Sequence, residues 1–327
     1  MKTSRRQAAV ACCGLATMAV VPLQVRADTY PSRPVEFMVP YPAGGLVDVA
    51  ARILGERFRE ALGQPVVVVN RPGASSMIGT NAVVRAKPDG YSLLITTSTL
   101  TMNVALTPKQ VSFDVLSDLA PIAIVATTSQ ILVVPATQPV RSVRELIELA
   151  KARPGKLTFG SGSTGTPSHL AGEQLRSLAG VDILHVPYNG APPAMNALLA
   201  GETSMLFSNL AVAMPQVRAG RIRALAVASP TRSALAPDVP TMAEAGMPMD
   251  ADQWIGFMAP RGTPTALIQR IAAVLNTALA SEDVRAALAK SGIVAEPSST
   301  PASFASVLRQ DIDRYRKIVR DAKIRLE

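Results

Sequence analysis

Residues 156–180, KLTFGSGSTGTPSHLAGEQLRSLAG, place Gly160, Gly162 and Gly165 in the spacing G-x-G-x-x-G, between a strand-like run and a helix-like one. Glycines in that position let backbone N–H groups approach a bound anion, and the helix start adds unsatisfied N–H groups and partial positive charge. Ser161, Ser163, Thr164, Thr166 and Ser168 add hydroxyl donors. The chemistry on offer is recognition of a carboxylate or phosphate. A dinucleotide site needs, in addition, an acidic residue at the end of the second strand, about twenty positions on. Here that strand ends in His185-Val186-Pro187-Tyr188, and Asp182 precedes it. No cofactor is expected.

A second glycine-rich helix start lies at Tyr41-Pro42-Ala43-Gly44-Gly45, with Asp48 in its first turn. Two such loops make anion binding a better account than a loop that merely caps its own helix. Catalysis has less support. A nucleophile elbow, G-x-S-x-G, would centre on Ser163, but Ser161 occupies its first glycine position. The two histidines of the chain, His169 and His185, read as a first-turn helix residue near the pocket and a satisfied residue of an apolar strand. No H-E-x-x-H or carboxylate–histidine cluster is present, so neither catalytic residues nor a metal site is expected.

Elements that would position these loops follow from the pattern. Residues 35–39 read as a strand and 47–62 as a helix, with Ala50, Ile53, Leu54, Phe58 and Leu62 on one face. Gly63 stops it, and the run 66–69 reads as the next strand. Residues 157–159, 168–178 and 183–186 repeat strand, helix, strand. The continuous apolar strands suit a parallel sheet covered on both faces. Two such units predict an α/β fold of two lobes, joined by crossings near Thr127–Gln130 and Asp252–Trp254. The lobes are expected at 28–126 plus 250–327, and at 127–249. Three helices are expected in the last third, at 267–280, 282–290 and 304–322. Trp254, the single tryptophan, should report closure of the lobes.

Lys2, Arg5 and Arg6, the apolar run from Ala8 to Leu23, and Val25-Arg26-Ala27 have the form of an export signal cleaved after Ala27. Its start is compatible with either general or twin-arginine export. Both cysteines, Cys12 and Cys13, fall inside it, leaving a mature chain without thiols. Cleavage removes four of the 33 basic residues and none of the 24 acidic ones, leaving 29 against 24, or +5. The basic residues are scattered and aromatics are only 4% of the chain, a poor basis for nucleic-acid binding. A periplasmic monomer without a membrane anchor is expected.

The blocks YPSRPVEFMVPYPAGGLVDVAAR, GQPVVVVNRPGA, KPDGYSLL, LTFGSGSTGTPSHLAGEQL, HVPYNGAPPAMNALLAGE and RALAVASPTRSALAPDVPTMAEAG occur in order over nearly the whole mature chain. Together they resemble the extracytoplasmic solute receptors of tripartite tricarboxylate transporters, the Bordetella-uptake-gene type. The resemblance implies a two-lobed periplasmic binding protein, type II-like. Such a protein closes on a small carboxylate-bearing solute and delivers it to inner-membrane permease subunits. It implies ligand loops at Tyr41 to Asp48 and at Ser161 to His169, with pocket walls from Ser98, Tyr188, Asn209 and the Asp252–Trp254 crossing. Leu46-Val47 stand where the family commonly has small polar residues, Asn189 where Lys is common, and Thr99 where a larger polar or aromatic residue is frequent. These departures move the expectation from di- and tricarboxylates towards a ligand with more apolar bulk, such as an aromatic acid. A ligand-presenting sensor subunit for a membrane kinase and an exported hydrolase are the alternatives.

Overall fold

This computed structural model describes residues 30–321 and residue 324; the expected export signal lies outside the described residues. The chain runs through β1 (Val35–Val39), α1 (Leu46–Leu62), β2 (Val66–Asn70), α2 (Met77–Val84), β3 (Ser92–Thr97), α3 (Thr99–Leu106) and β4 (Leu119–Thr128). After Ser129 it enters β5 (Gln130–Pro135), α4 (Val143–Ala152), β6 (Leu157–Ser161), α5 (Pro167–Ala179), β7 (Ile183–Pro187), α6 (Ala191–Leu199), β8 (Met205–Asn209), α7 (Leu210–Arg218) and β9 (Ile222–Val227). It returns through β10 (Gln253–Pro260), followed by α8 (Thr265–Ala280), α9 (Glu282–Lys290), β11 (Val294–Ala295) and α10 (Pro301–Asp321).

The described strands form two sheets, ordered β11-β4-β10-β3-β1-β2 and β7-β6-β8-β5-β9. In the first, β1 lies between its parallel partners β2 and β3; in the second, β6 lies between β7 and β8, also parallel. Each trio then meets an antiparallel strand, β10 beside β3 and β5 beside β8. At β1 and at β6 the order of winding reverses. In open α/β sheets, the crevice beyond the carboxyl end of such a strand is where ligands bind. The loops that follow β1 and β6 are the two glycine loops.

The expectation of parallel sheets covered on both faces is corrected: both sheets are mixed. The valine run of β2 forms a sheet edge, with Val67 49% exposed, and Leu184 of edge strand β7 is 50% exposed. Branched apolar residues suit the pleated backbone at an edge as well as in a covered strand, so a valine run alone does not distinguish the two.

Local sequence explains the helices that carry the loops. Val47, Ala50, Ala51, Leu54 and Phe58 bury one face of α1. Gly63, at φ 72°, ends that helix by donating its N–H to the Arg59 carbonyl at 2.8 Å, and Gly180, at φ 61°, ends α5. Phe37, Phe58 and Phe257 meet edge to face in the core of the first sheet, while Phe159 and Phe207 centre the second.

The crossings are tight. Ser129 alone separates β4 from β5, while Thr128 pairs with Gln253 and Gln130 with Asn209. Trp254, placed by sequence in the second crossing, lies in a strand. It is the second residue of β10, 5% exposed, packed edge to face on Phe304, and it donates its indole N–H to Asp311 Oδ2 at 2.7 Å. On its other side Trp254 pairs with Thr127 of β4, next to the first crossing. Leu170 of α5 packs with Met102, Leu106 and Tyr315 of α3 and α10, joining the two halves beside the second glycine loop.

Candidate functional site

The two glycine loops share one backbone plan. Gly44 and Gly165 have φ 79° and 78°, the left-handed region in which glycine avoids a Cβ penalty. The next residues, Gly45 and Thr166, are extended at (−76°, 169°) and (−84°, 162°) and precede the first helical position. Three residues further on, a side chain folds back under the loop. Asp48 Oδ2 accepts the Gly44 N–H at 2.9 Å, and His169 Nδ1 accepts the Gly165 N–H at 3.1 Å. This is a capping-box geometry moved one residue outward. It leaves the first-turn N–H groups pointing at open space, since they have no intrahelical acceptors.

The two supports differ in charge. Asp48, 3% exposed, also accepts both Arg52 Nε and Nη2 at 3.0 Å and Asn70 Nδ2 at 3.0 Å. The Arg52 guanidinium holds its carboxyl below the usual carboxylate range, so it is ionised. His169, 4% exposed, stacks on His185 with ring centroids 4.0 Å apart, and Phe159 stacks on His185 at 4.9 Å. Burial, then the neighbouring His185 and Arg176, pull His169 down to about 4. Burial and Arg176 bring His185 to about 4 as well. Both rings are neutral at pH 7. Glu173 lies 3.7 Å from His169 and 2.5 Å from Arg176, and burial raises its carboxyl.

A cleft of about 260 Å³ opens where the helix starts meet. Leu46, the first residue of α1, and Gln253 of β10 line it from the first sheet. Gly162, Thr166, Pro167, Ser168, Gly190, Ala191 and Asn209 line it from the second, with Gln130 at the crossing. No Asp, Glu, Lys, Arg or His is among the residues that line it. A larger cavity of about 690 Å³ lies elsewhere, between the 108–118 segment and α10, with Asp114, Asp118, Asp313, Arg309 and Arg316 on its walls. Its walls include neither glycine loop and no residue of β1 or β6. Its size therefore carries less weight than the position of the smaller cleft.

Of the residues singled out by sequence, Leu46, Gly162, Thr166, Ser168 and Asn209 line the cleft directly. Ala43, Gly44 and Gly45 are exposed in the loop ahead of Leu46, and Ser163 and Thr164 are exposed at the tip of the second loop. Asp48 and His169 lie beneath their loops. Tyr41 is half-buried, its hydroxyl 2.9 Å from Thr97 Oγ1. Tyr188 is half-buried and its N–H donates to the Ser161 carbonyl at 2.9 Å. Ser98 is fully buried at the start of α3. Asp252 is half-buried beside the crossing; burial raises it to about 7, against a hydrogen bond from Ser129. Asn209 caps α7 through the Ala211 N–H at 2.9 Å and donates to Thr128 Oγ1.

Leu46 lies within the expected first loop and Gln253 within the expected Asp252–Trp254 wall, while Ala191 was missed by sequence reasoning and Gln130 was named only as part of a crossing. Gly190-Ala191-Pro192-Pro193 carries a helix-start signal that could have found Ala191, because Pro favours the first turn. Gln130 and Gln253 meet across two chain crossings and give no local signal.

The structure does bring a serine and a histidine together: Ser161 Oγ lies 2.6 Å from His185 Nε2. Ser161 is fully buried and donates its one hydroxyl proton to the Ser163 carbonyl at 2.9 Å. With that proton on the carbonyl, the serine oxygen is placed to accept Nε2–H from the imidazole. The pair braces the loop. Among the described residues no cluster of three or more His, Cys, Asp or Glu could hold a metal, and no helix is long and apolar enough to cross a membrane.

Comparison with known proteins agrees with this geometry. The family described as "Tripartite tricarboxylate transporter family receptor" matches residues 50–324. "Protein BugT" of Bordetella pertussis is 38% identical over 309 residues, 93% of this chain and 93% of that protein. A Rhodopseudomonas palustris protein, Rpa4515, solved with adipate, is 32% identical with a TM-score of 0.78, covering 90% of this chain and 99% of that one. MatC of the same organism, solved with bound malate, is 29% identical with a TM-score of 0.77, over 89% and 100%. With its two sheets wound alike, a glycine loop at each switch strand and a family match over most of its length, this chain belongs to the tripartite tricarboxylate transporter family of receptors.

Proposed function

We propose that the chain, after export to the periplasm and removal of residues 1–27, captures one small organic acid in the cleft and delivers it to inner-membrane permease subunits. It does so as a monomer that closes two lobes, residues 28–126 with 250–327 against residues 127–249. The observation that carries this reading is the matched pair of glycine loops, each opening a helix whose first residues line one shared cleft. Malate and adipate in the related structures are acids of that kind.

The energetics limit what the helix starts do alone. Each contributes roughly 0.3–1 kcal/mol to anion binding, up to ~2 when partly buried. Micromolar affinity needs about 8 kcal/mol. Direct hydrogen bonds from the first-turn N–H groups, Ser168 and Asn209, water bridges and burial of the ligand body supply the rest. A ligand touching both lobes makes its full set of contacts only when they close, and this difference is what shifts the population.

Thermal shift across mono-, di- and tricarboxylates, aromatic acids and amino acids tests the reading, using protein unfolded, dialysed and refolded to remove host ligand. Ligand at a hundred times its Kd adds about 2.7 kcal/mol. Stabilisation by amino acids or uncharged solutes but by no organic acid would refute the reading.

A further inference from the structure

Three helix starts present their first residue to the cleft, and all three residues are apolar: Leu46 of α1, Pro167 of α5 and Ala191 of α6. Proline also removes donors. Pro167 has no N–H, and Pro192 and Pro193 leave Ala191 as the single N–H of the first three positions of α6. Gly190 N–H is already given to the Gly162 carbonyl at 2.7 Å, and Gly162 N–H to Ser168 Oγ at 3.2 Å. The second lobe thus offers the N–H groups of Ser168, His169 and Ala191, enough to surround one carboxylate.

The first lobe is a poorer place for a second carboxylate. Under its loop sits the ionised Asp48, where the second lobe has the neutral His169. Arg52 offsets that charge only from the solvent side, its side chain 57% exposed. From this side the cleft is lined by Leu46, half-buried and packed on the first core, and by the neutral Gln253, and no cationic residue lines it to neutralise a second charge. Desolvating an unpaired carboxylate against an apolar wall is costly, whereas an apolar group gains there.

We propose that the cleft selects a monocarboxylate with an apolar body, its carboxylate on the starts of α5 and α6 and its apolar end against Leu46, which sets the preference. This rests on the cleft being the ligand site. Hexanoate and adipate have six carbons each and differ only in the second carboxylate, so they isolate the point; phenylacetate adds an aryl body. Isothermal titration of refolded protein at pH 7 should give hexanoate and phenylacetate at least about tenfold tighter binding than adipate, a difference of about 1.4 kcal/mol. Leu46→Ser should remove most of that preference by weakening the monoacids, while Gly162→Val should weaken all three acids. Adipate binding as tightly as hexanoate overturns the proposal, and a loss of both on Gly162→Val would then leave the cleft reading standing. Affinities that neither substitution changes overturn the cleft reading and the proposal together. Binding by none of the three acids at millimolar concentration overturns the proposal as well.

Discussion

Lowering the pH should destabilise this protein through the ring stack beneath its second glycine loop. His169 and His185 titrate near 6.5 when unfolded and at about 4 in the fold, where burial disfavours the imidazolium. Their contribution to stability is complete above pH 6.5. It is lost as the pH falls towards 4, because over that interval the unfolded chain binds protons that the native state refuses. A difference of about 2.5 pH units at 1.36 kcal/mol each gives about 3 kcal/mol for His169, of which about 2 kcal/mol is lost between pH 7 and 5. Asp252, raised to about 7, and Glu173, also raised, act in the opposite sense and gain stability on acidification. The wild-type curve alone is therefore a balance. The difference between wild type and His169→Gln isolates the ring, because Gln can still accept the Gly165 N–H. Urea unfolding at pH 7 and pH 5 should show the variant losing about 2 kcal/mol less than wild type over that interval. Equal losses, within about 0.5 kcal/mol of each other, would refute the assignment of a buried, neutral His169.

Other expectations follow from the same contacts. Gly162→Val should weaken acid binding by at least about tenfold in isothermal titration, because branching at that position extends a Cβ already 3.2 Å from the Ala191 nitrogen and 3.3 Å from the Gly190 carbonyl carbon. Gly44→Ala and Gly165→Ala should each cost about 1–2 kcal/mol in urea unfolding, from the left-handed backbone alone at φ 79° and 78°. A smaller cost at both would mean that the loops relax away from this geometry. Ligand recovered after long incubation should be chemically unaltered by mass spectrometry; a product that disappears in Ser161→Ala would make the Ser161–His185 pair catalytic.

Much of the fold was legible because its signals are local. Gly63 stops α1 at the expected place, the helix expected over 168–178 is α5, and the helical periodicity of the last third corresponds to α8, α9 and α10. Pairing between distant strands was not legible. The antiparallel neighbours β4 and β10 are joined across more than a hundred residues, and the valines of β2 look the same in sequence whether central or at an edge. The glycine loops were visible as loops, but the direction of each side chain was not. Asp48 and His169 have the composition of ligand-facing residues, yet both turn back to hold a glycine N–H. For His169 spacing cannot reveal that choice, since a neutral imidazole can accept a glycine N–H or donate to an anion, whereas an ionised Asp48 can only accept. The partners of Trp254 were not legible either: it sits next to a crossing in sequence, and its contacts with Asp311 and Phe304 of α10 span about fifty residues.

Whether an organic acid sits between the starts of α1 and α5 is measured most directly by a crystal structure of refolded protein grown with whichever acid raises Tm most. Ligand density is expected in the 260 Å³ cleft, touching Leu46, Gly162, Ala191 and Asn209, with both lobes in contact. Density instead in the 690 Å³ groove beside Arg309 and Arg316, with the cleft holding only water, would contradict it.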